Sequence, residues 1–374
     1  MPTAPVILTG TPGSFARSVF HERHPKLIRQ VLDALPYGPG QRAAVEGLLA
    51  ETISGVVEPL PASAHDAAQW LAWGDGYLGR PWGEVPFLWA ESYFYRRLLE
   101  ATGYFGEWPG VDPFAPFKSA ELGGAAVDAE LAALPGEERR EVLLASALWG
   151  NRADLSFQII AGAGEARDSA VIVDESAALW DAVQGRICFV ADNAGRELLP
   201  DLVLIDHLLT SGRAAEVVLY VKPYPYYVSD ATATDVLATV ARLEQAGPIG
   251  RRLRQAMGDG TLAVRTHAFF AAPLPFHDLP ADLRSEFEGA ALTVTKGDLN
   301  YRRLVGDRYW EPTTPFAECV GYFPTPVAAL RTLKSDVIVG LDPAALAGLD
   351  ATGEAWRTTG KYGIVQVRAA GTVS

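Results

Sequence analysis

The feature that most restricts the fold is an alternation, starting near residue 170, of short apolar runs with helical patterns. Such an alternation predicts crossover units, because two neighbouring parallel strands need a helix-sized connection between them. We therefore predict an α/β protein with a three-layer α/β/α core. The predicted strands are 186–191, 216–222, 261–269, 291–297, 336–341 and 362–367, and the predicted helices are 197–211, 231–246 and 280–290.

The first 160 or so residues follow a different pattern. Apolar residues recur there at spacings of three and four, which predicts amphipathic helices, and segments rich in proline and glycine separate them. We predict a helical N-terminal domain over residues 1–170 and an α/β/α domain over 171–374. The predicted helices of the first part are 24–35, 41–57, 86–102 and 137–149.

Composition excludes several classes of protein. Hydrophobic residues make up 49% of the chain and charged residues 21%, which is typical of a soluble globular protein. The formal net charge of −13 argues against a nucleic-acid partner. Two isolated cysteines, Cys188 and Cys319, argue against a thiolate zinc site. The sequence has no signal-peptide pattern and no membrane-length apolar run, so we expect a cytoplasmic protein with no membrane partner. We also expect no obligate protein partner.

Polar residues follow two consecutive predicted strands. Asp192 and Asn193 come directly after 186–191, and Asp230 comes after 216–222. Ligands gather at the carboxyl ends of parallel strands, so we expect these side chains to converge. Two carboxylates and an amide are hard oxygen donors that suit Mg²⁺ or Mn²⁺. Each residue also suits a turn or a helix N-cap, and the spacing alone leaves both interpretations open.

A second polar cluster, KGDLNYRR, covers residues 296–303 and follows another predicted strand. Further along, Arg331 and Lys334 come just before the predicted strand 336–341. Lysine and arginine at strand ends suit a phosphate pocket, and arginine adds a bidentate fork. A single cation in a loop is more often solvated, so the interpretation depends on the cluster as a whole.

These motifs together resemble the damage-control phosphatase family, formerly domain of unknown function eighty-nine. The similarity lies in DNAGRELLPDLVLIDHLL, KPYPYYVSD, KGDLNYRRL, RTLKSDVIVGL and GKYGIVQV, and in AESYFYRRLLEATGYF and LWGNRADLS from the helical part. Arg331-Thr332-Leu333-Lys334 matches the Arg-Thr-x-Lys signature of the acidic-residue methyltransferase-like branch. The resemblance extends from about residue 20 to about residue 370.

The resemblance implies a metal-dependent phosphatase that acts on small phosphorylated metabolites, among them sugar phosphates such as fructose 1-phosphate. It implies a helical N-terminal domain on a Rossmann-like core. It also implies that Mn²⁺ or Mg²⁺ binds to Asp192, Asn193 and Asp230. The positions that it associates with the substrate are Glu197, Asp298, Leu299, Asn300, Tyr301, Arg302 and Lys334.

The mechanistic hypothesis gives Lys334 and Arg302 the task of neutralising phosphate oxygens as charge moves in the transition state. The nucleophile is either a water molecule or Asp192 itself, and the sequence leaves both open. Glu197 either orients the water or, as an acidic first-turn residue, interacts with the helix dipole.

Other residues are candidates for reading the substrate. Asp298 and Asn300 would form hydrogen bonds to groups beside the phosphate or to sugar hydroxyls. From the helical part, Glu91, Asn151 and Asp154 are candidates for sugar recognition. Glu91 lies on an aromatic-rich predicted helix, and a side chain that points to solvent there is also compatible with the sequence.

Two alternative functions remain open. The first is an S-adenosylmethionine-dependent methyltransferase of protein carboxylates, as the name of the branch suggests. Rossmann methyltransferases usually carry a glycine-rich loop after the first strand, whereas the DNAG turn contains a single glycine, Gly195. The second is a phosphosugar-binding protein without catalysis, which would bind its ligand without turnover.

Overall fold

The computed structural model describes residues 4–132, 140–150 and 170–369. Within these ranges seven strands form one sheet. They are β1 (Ala170–Asp174), β2 (Gly185–Val190), β3 (Ala214–Val221), β4 (Leu262–Thr266), β5 (Leu292–Lys296), β6 (Val327–Thr332) and β7 (Tyr362–Arg368).

The strand order across the sheet is β1-β7-β6-β5-β2-β3-β4. Neighbouring strands from β6 to β4 are all parallel, as the crossover pattern predicts. The exception is β7, which runs antiparallel to β6, while β1 runs parallel to β7. The carboxyl ends of β2, β3, β5 and β6 therefore meet at one edge of the sheet.

The helices of the N-terminal half surround a long, buried central helix, α5. They are α1 (Phe15–Ser18), α2 (His24–Ala34), α3 (Pro39–Ser54), α4 (Ala67–Trp73), α5 (Phe87–Ala101), α6 (Ala115–Leu122), α7 (Ala125–Ala132) and α8 (Arg140–Trp149). The helices of the second half are α9 (Ser176–Ala182), α10 (Leu198–Thr210), α11 (Ala233–Ala246), α12 (Pro248–Asp259), α13 (Ala281–Glu288), α14 (Gly297–Val305), α15 (Phe316–Val320) and α16 (Pro343–Ala351).

Side-chain alternation along the strands separates two apolar layers. On β2, Cys188 and Val190 point to one face and join a cluster with the N-terminal helices. Ile187 and Phe189 point to the other face and join a cluster with α10 and α11. A strand places successive side chains on opposite faces, so both faces of the sheet are covered. The prediction of an α/β core in three layers with a helical N-terminal region is confirmed.

One predicted strand is wrong, and two strands were missed. Residues 336–341 are not a strand, and the strand of this region is β6, which lies upstream. The 336–341 segment bonds to side chains and to a loop: Val339 donates to the Tyr301 hydroxyl and accepts from the Gln366 amide, and Gly340 and Leu341 donate to carbonyls of residues 312–314. Arg331 accordingly lies within β6 and Lys334 just after it. The sequence interpretation also missed β1, a short edge strand.

The predicted division at residue 170 stays a prediction. Helix α8 comes from the first part of the chain, yet it contacts α10 and strands β6 and β7. One apolar cluster also includes residues of both parts. Separately, no helix in the described ranges has the length and apolarity that a membrane span requires.

A π-helical turn, Val19–Arg23, joins α1 to α2. The next residue, His24, is 1% exposed and stacks on Phe94 of α5, with ring centroids 3.8 Å apart and planes within 7°. Neither ring nitrogen of His24 has a hydrogen-bond partner among the described residues. Burial, with a smaller contribution from the charge of Arg23, lowers the pKa of His24 to about 3. The ring is therefore neutral in the folded protein.

We expect this histidine to weaken the fold in acid. Between pH 6.5 and about 3 the unfolded chain binds a proton that the folded protein does not, so stability falls as the pH falls. From pH 6.5 to 5.0 the loss is about 2 kcal/mol. His24→Phe retains the stacking and should lose this part of the pH dependence, measured by urea unfolding at pH 7.5 and 5.0. His21→Phe, at an exposed position in the same turn, should behave like wild type. Equal pH dependence in wild type and His24→Phe would contradict the assignment.

Candidate active site

A cavity of about 490 Å³ opens where the parallel strands end. Its wall contains residues that follow β2, β5 and β6 and a segment from the N-terminal helical region. The lining includes Asp192, Glu197, Gly297, Lys334, Phe15 and Arg23. Several residues predicted from the sequence therefore meet in one place, at the edge where ligands of open α/β sheets bind.

Backbone pairing brings the first predicted cluster together. Asn193, after β2, and Asp230, after β3, form an antiparallel bridge. The N–H of Ala231 donates to the carbonyl of Asp192 at 2.9 Å, and the N–H of Ala194 donates to the carbonyl of Ser229 at 2.6 Å. Neighbouring strands thus continue as a paired loop, which places the two aspartates beside each other.

Asp192 lies in crowded negative surroundings. Burial raises its pKa well above the usual range, and the charges of Glu197 and Asp230 raise it further. Lys334 and Lys222 oppose this effect without cancelling it. The amide nitrogen of Asn193 donates to Asp192 at 3.2 Å and to Glu197 at 2.8 Å, which bridges two of the carboxylates.

The donor set fits a hard divalent cation by its chemistry. Carboxylates forced together in a buried place are stabilised by a positive ion, and Asp192, Asn193 and Asp230 offer the oxygen ligands that Mg²⁺ and Mn²⁺ prefer. Within the described ranges, however, no group of three or more His, Cys, Asp or Glu side chains has metal-binding geometry. Asp230 also accepts from the Tyr227 N–H at 3.2 Å and lies 3.7 Å from the Lys222 ammonium. The metal site stays a prediction.

Lys334 forms an ion pair with Glu197 inside the cavity, with a distance of 3.3 Å between Nζ and Oε1. The lysine side chain is 48% exposed, so its ammonium remains accessible to a ligand. The charge of Glu197 raises the pKa of Lys334, and Lys334 is the largest influence that lowers the pKa of the half-buried Glu197. Both groups are charged at neutral pH.

Asp298 fixes the loop that carries Lys334. Its Oδ1 accepts hydrogen bonds from the Arg331 guanidinium at 2.9 Å, from the Lys334 backbone N–H at 3.2 Å and from the Ser335 hydroxyl at 3.0 Å. Burial would raise the pKa of Asp298, but the charges of Arg331 and Arg302 lower it below the usual range. The arginine of the Arg-Thr-x-Lys motif thus holds the loop, and its lysine faces the cavity.

Two glycines allow close contacts at the cavity wall. Gly297 opens α14 with a φ of +86°, and a Cβ there would lie 1.8 Å from Oδ2 of Asp192. Gly150 has a φ of +54°, and a Cβ there would lie 2.6 Å from Cγ of Glu197. The positions of both carboxylates depend on the absence of a side chain opposite them.

Three predicted substrate positions on α14 serve the interior instead. Leu299 packs with Leu88 and Tyr226 in a small apolar cluster. Asn300 donates to the carbonyls of Ala191 and Lys296, while its own side-chain oxygen is buried and has no partner in the part of the chain that the structure describes. The hydroxyl of Tyr301 donates to Gln366 at 2.9 Å. Contacts of these side chains with a substrate stay predictions.

Arg302 and Glu91 meet in a buried ion network. The guanidinium of Arg302 donates to Asp307 at 2.8 and 3.0 Å and to Glu91 at 2.9 Å, and it lies over the Phe87 ring. Its predicted contact with phosphate is untested, and each of its three nitrogens already donates to a carboxylate. The network connects α14 to α5.

Some predicted residues lie elsewhere, and others were missed. Asn151 and Asp154 are outside the described residues. Sequence reasoning missed Arg23 and the 358–360 loop, which both line the cavity. Arg23 follows no strand and belongs to no recognised motif. Only its place in the folded chain reveals it.

The chain is similar to known proteins along most of its length. Residues 19–347 match the model of the damage-control phosphatase ARMT1-like domain. Damage-control phosphatase ARMT1 of Danio rerio is 31% identical, with 95% of this chain and 94% of the relative covered. The protein of that name from Homo sapiens is 30% identical, with 98% of this chain and 99% of the relative covered. A crystal structure of a DUF89 family protein from Pyrococcus horikoshii has a TM-score of 0.51 at 17% identity and covers 89% of this chain and 94% of its own, which supports the fold.

The close approach of Gly297 to Asp192 predicts a difference between two equivalent substitutions. Gly260, just beyond the end of α12, has a left-handed φ of +81°, and a Cβ there would meet no described atom within 4 Å outside its chain neighbours. An alanine at either position incurs the left-handed strain of about 1–2 kcal/mol. Gly297→Ala should lose about 1–3 kcal/mol more, because it displaces the Asp192 carboxylate. Urea unfolding of both variants measures the difference, and equal losses would contradict the contact.

Proposed function

We propose, because the chain belongs to the ARMT1-like damage-control phosphatase family, that it hydrolyses small phosphorylated metabolites with the help of a divalent metal ion. Family membership supports a phosphatase of metabolite phosphates. The finer proposal is a sugar phosphate such as fructose 1-phosphate as substrate and Mn²⁺ or Mg²⁺ as the metal.

The single observation that carries the proposal is the shared cavity of Asp192, Glu197 and Lys334 at the carboxyl edge of the sheet. An accessible lysine beside crowded carboxylates is the arrangement that a phosphate needs when a cation accompanies it. The volume lies within the range usual for small-ligand sites.

The cation would be held by Asp192, Asn193 and Asp230. When bound, it would act as a Lewis acid on the phosphoryl group. The raised pKa of Asp192 bears on this proposal, because that carboxylate is costly to ionise among its neighbours unless a positive charge is added to those of Lys334 and Lys222.

The chain's own residues have distinct tasks in this proposal. Lys334 neutralises a phosphate oxygen as the bond from phosphorus to the leaving oxygen breaks. Glu197 orients both Lys334 and Asn193 through its hydrogen bonds to them. The first-turn N–H groups of α14, which begins at Gly297, offer further donors to an anion.

The attacking group, a water molecule or the Asp192 carboxylate, remains open. Asp298 and the Arg302 network act as supports, since their polar groups are engaged within the protein. A cytoplasmic location and action without a nucleic-acid, membrane or obligate protein partner stay predictions. The methyltransferase and the phosphosugar-binding protein without catalysis stay open as alternative functions.

The test is phosphate release from a panel of sugar phosphates that includes fructose 1-phosphate, with Mn²⁺, with Mg²⁺ and with chelator. Asp192→Asn and Asp230→Asn should each lower metal-dependent kcat/KM by about 10²-fold or more, because each removes a charged ligand. Asp282→Asn, an exposed aspartate on α13, is the matched control and should retain activity. Thermal melting of each variant checks the fold.

Other outcomes have a clear meaning. Release that is equal in chelator would contradict metal dependence. No release with any metal, together with binding of S-adenosylmethionine, would favour the methyltransferase. Phosphosugar binding without turnover would favour the non-catalytic protein.

A further inference from the structure

Arg23 lies at the end of the π-helical turn Val19–Arg23, and its exposed side chain lines the cavity beside Phe15. The π turn is defined by the bond from the His24 N–H to the Val19 carbonyl. Such turns insert one residue into a helix and often occur at functional sites. Here the residue at the end of the turn is a cation at the wall of the proposed active site.

The turn is held firmly while the arginine is left free. Phe20 is 1% exposed and packs against Phe87 and Phe94 of α5, and His24 stacks on Phe94. The backbone N–H of Phe15 donates to the carboxylate of Asp336 at 3.3 Å, next to the loop that carries Lys334. These contacts place Arg23 on a rigid support, which lowers the entropic cost of ligand binding.

The charges of the cavity leave Arg23 unpaired. The cations of the described lining are Arg23, Lys296 and Lys334. Lys296 is bound to Asp201 and Lys334 to Glu197. Arg23 forms no ion pair or side-chain hydrogen bond with any described residue, and its guanidinium lies 5.8 Å from the centre of the Phe15 ring. It is therefore available to an anionic ligand.

Arg23 does not contact the carboxylates of the reacting end. Among the described residues no ion pair joins it to Asp192 or Glu197, whereas Lys334 pairs with Glu197 at 3.3 Å. Its charge acts on α5 instead: burial raises the pKa of Glu91 there, and the charges of Arg302 and, to a smaller extent, Arg23 oppose this effect. A substrate whose phosphate lies near Asp192 and Lys334 would therefore have its other end available to Arg23.

We propose that Arg23 is a specificity-determining residue that binds the end of the substrate away from the scissile phosphate and favours substrates whose far end carries a second anionic group. A carboxylate at that end suits the planar fork of a guanidinium. The inference deepens the proposed function and rests on it for the identity of the reacting end.

The test compares two open-chain compounds, D-sorbitol 6-phosphate and 6-phospho-D-gluconate. They share the phosphate and differ at C1, which is an alcohol in one and a carboxylate in the other. Binding is measured by titration calorimetry in chelator, and kcat/KM for phosphate release is measured with Mn²⁺. The proteins are wild type, Arg23→Gln, Arg23→Lys and, as a matched control, Arg29→Gln at an exposed position of α2.

We expect wild type to bind the carboxylate compound at least tenfold more tightly than the alcohol. Arg23→Gln should remove most of that preference, mainly through KM, and leave the alcohol compound little changed. Arg23→Lys should retain part of it, because lysine keeps the charge without the fork. Arg29→Gln should match wild type.

Two results would overturn the inference. One is a wild type without preference for the carboxylate compound, and the other is an equal loss for both compounds in Arg23→Gln. Failure of the proposed function looks different. In that case the binding preference and its loss in Arg23→Gln remain, while neither compound releases phosphate with any metal.

Discussion

The carboxylate of Asp192 is held in a buried place where two other carboxylates, Glu197 and Asp230, already exert negative charge. Much of the surrounding structure serves to keep it there. The loops after β2 and β3 pair their backbones, and the Asn193 amide bridges the carboxylates of Asp192 and Glu197. Gly297, which has no side chain, leaves room for the Asp192 carboxylate. Such an arrangement is stable only because neighbouring cations and hydrogen bonds offset the repulsion.

A second layer of buried charges holds that edge of the sheet in place. Asp298 and Arg331 fix the loop of Lys334, and Arg302 connects α14 to α5 through Glu91. Breaking one member of such a network leaves a buried charge without its partner, at about 3–5 kcal/mol. Replacing one of these supporting residues should therefore be nearly as damaging as replacing a residue that faces the cavity.

The alternation of apolar runs was enough to predict the core and the convergence of Asp192 with Asn193 and Asp230, since both follow from strand ends in a parallel sheet. Local pattern could not separate Lys334, which faces the cavity, from Arg302, which is buried between carboxylates, because both are cations in short segments beside predicted strands. Residues 336–341 look like a strand because they are apolar, but hydrogen bonds to side chains and to the backbone of another loop replace the ladder there. Arg23 was missed because its place depends on tertiary contacts of a helical turn.

The cavity wall combines segments from distant parts of the chain: Phe15 and Arg23, the strand-end loops, and residues 358–360. The hydrogen bond from Phe15 to Asp336 spans 321 residues. During synthesis the early helices emerge from the ribosome long before their partners in this wall exist. The growing chain therefore cannot complete the pocket until residue 360 has emerged. Until then the acidic residues of the site are present in the nascent protein without the complete cavity wall around them.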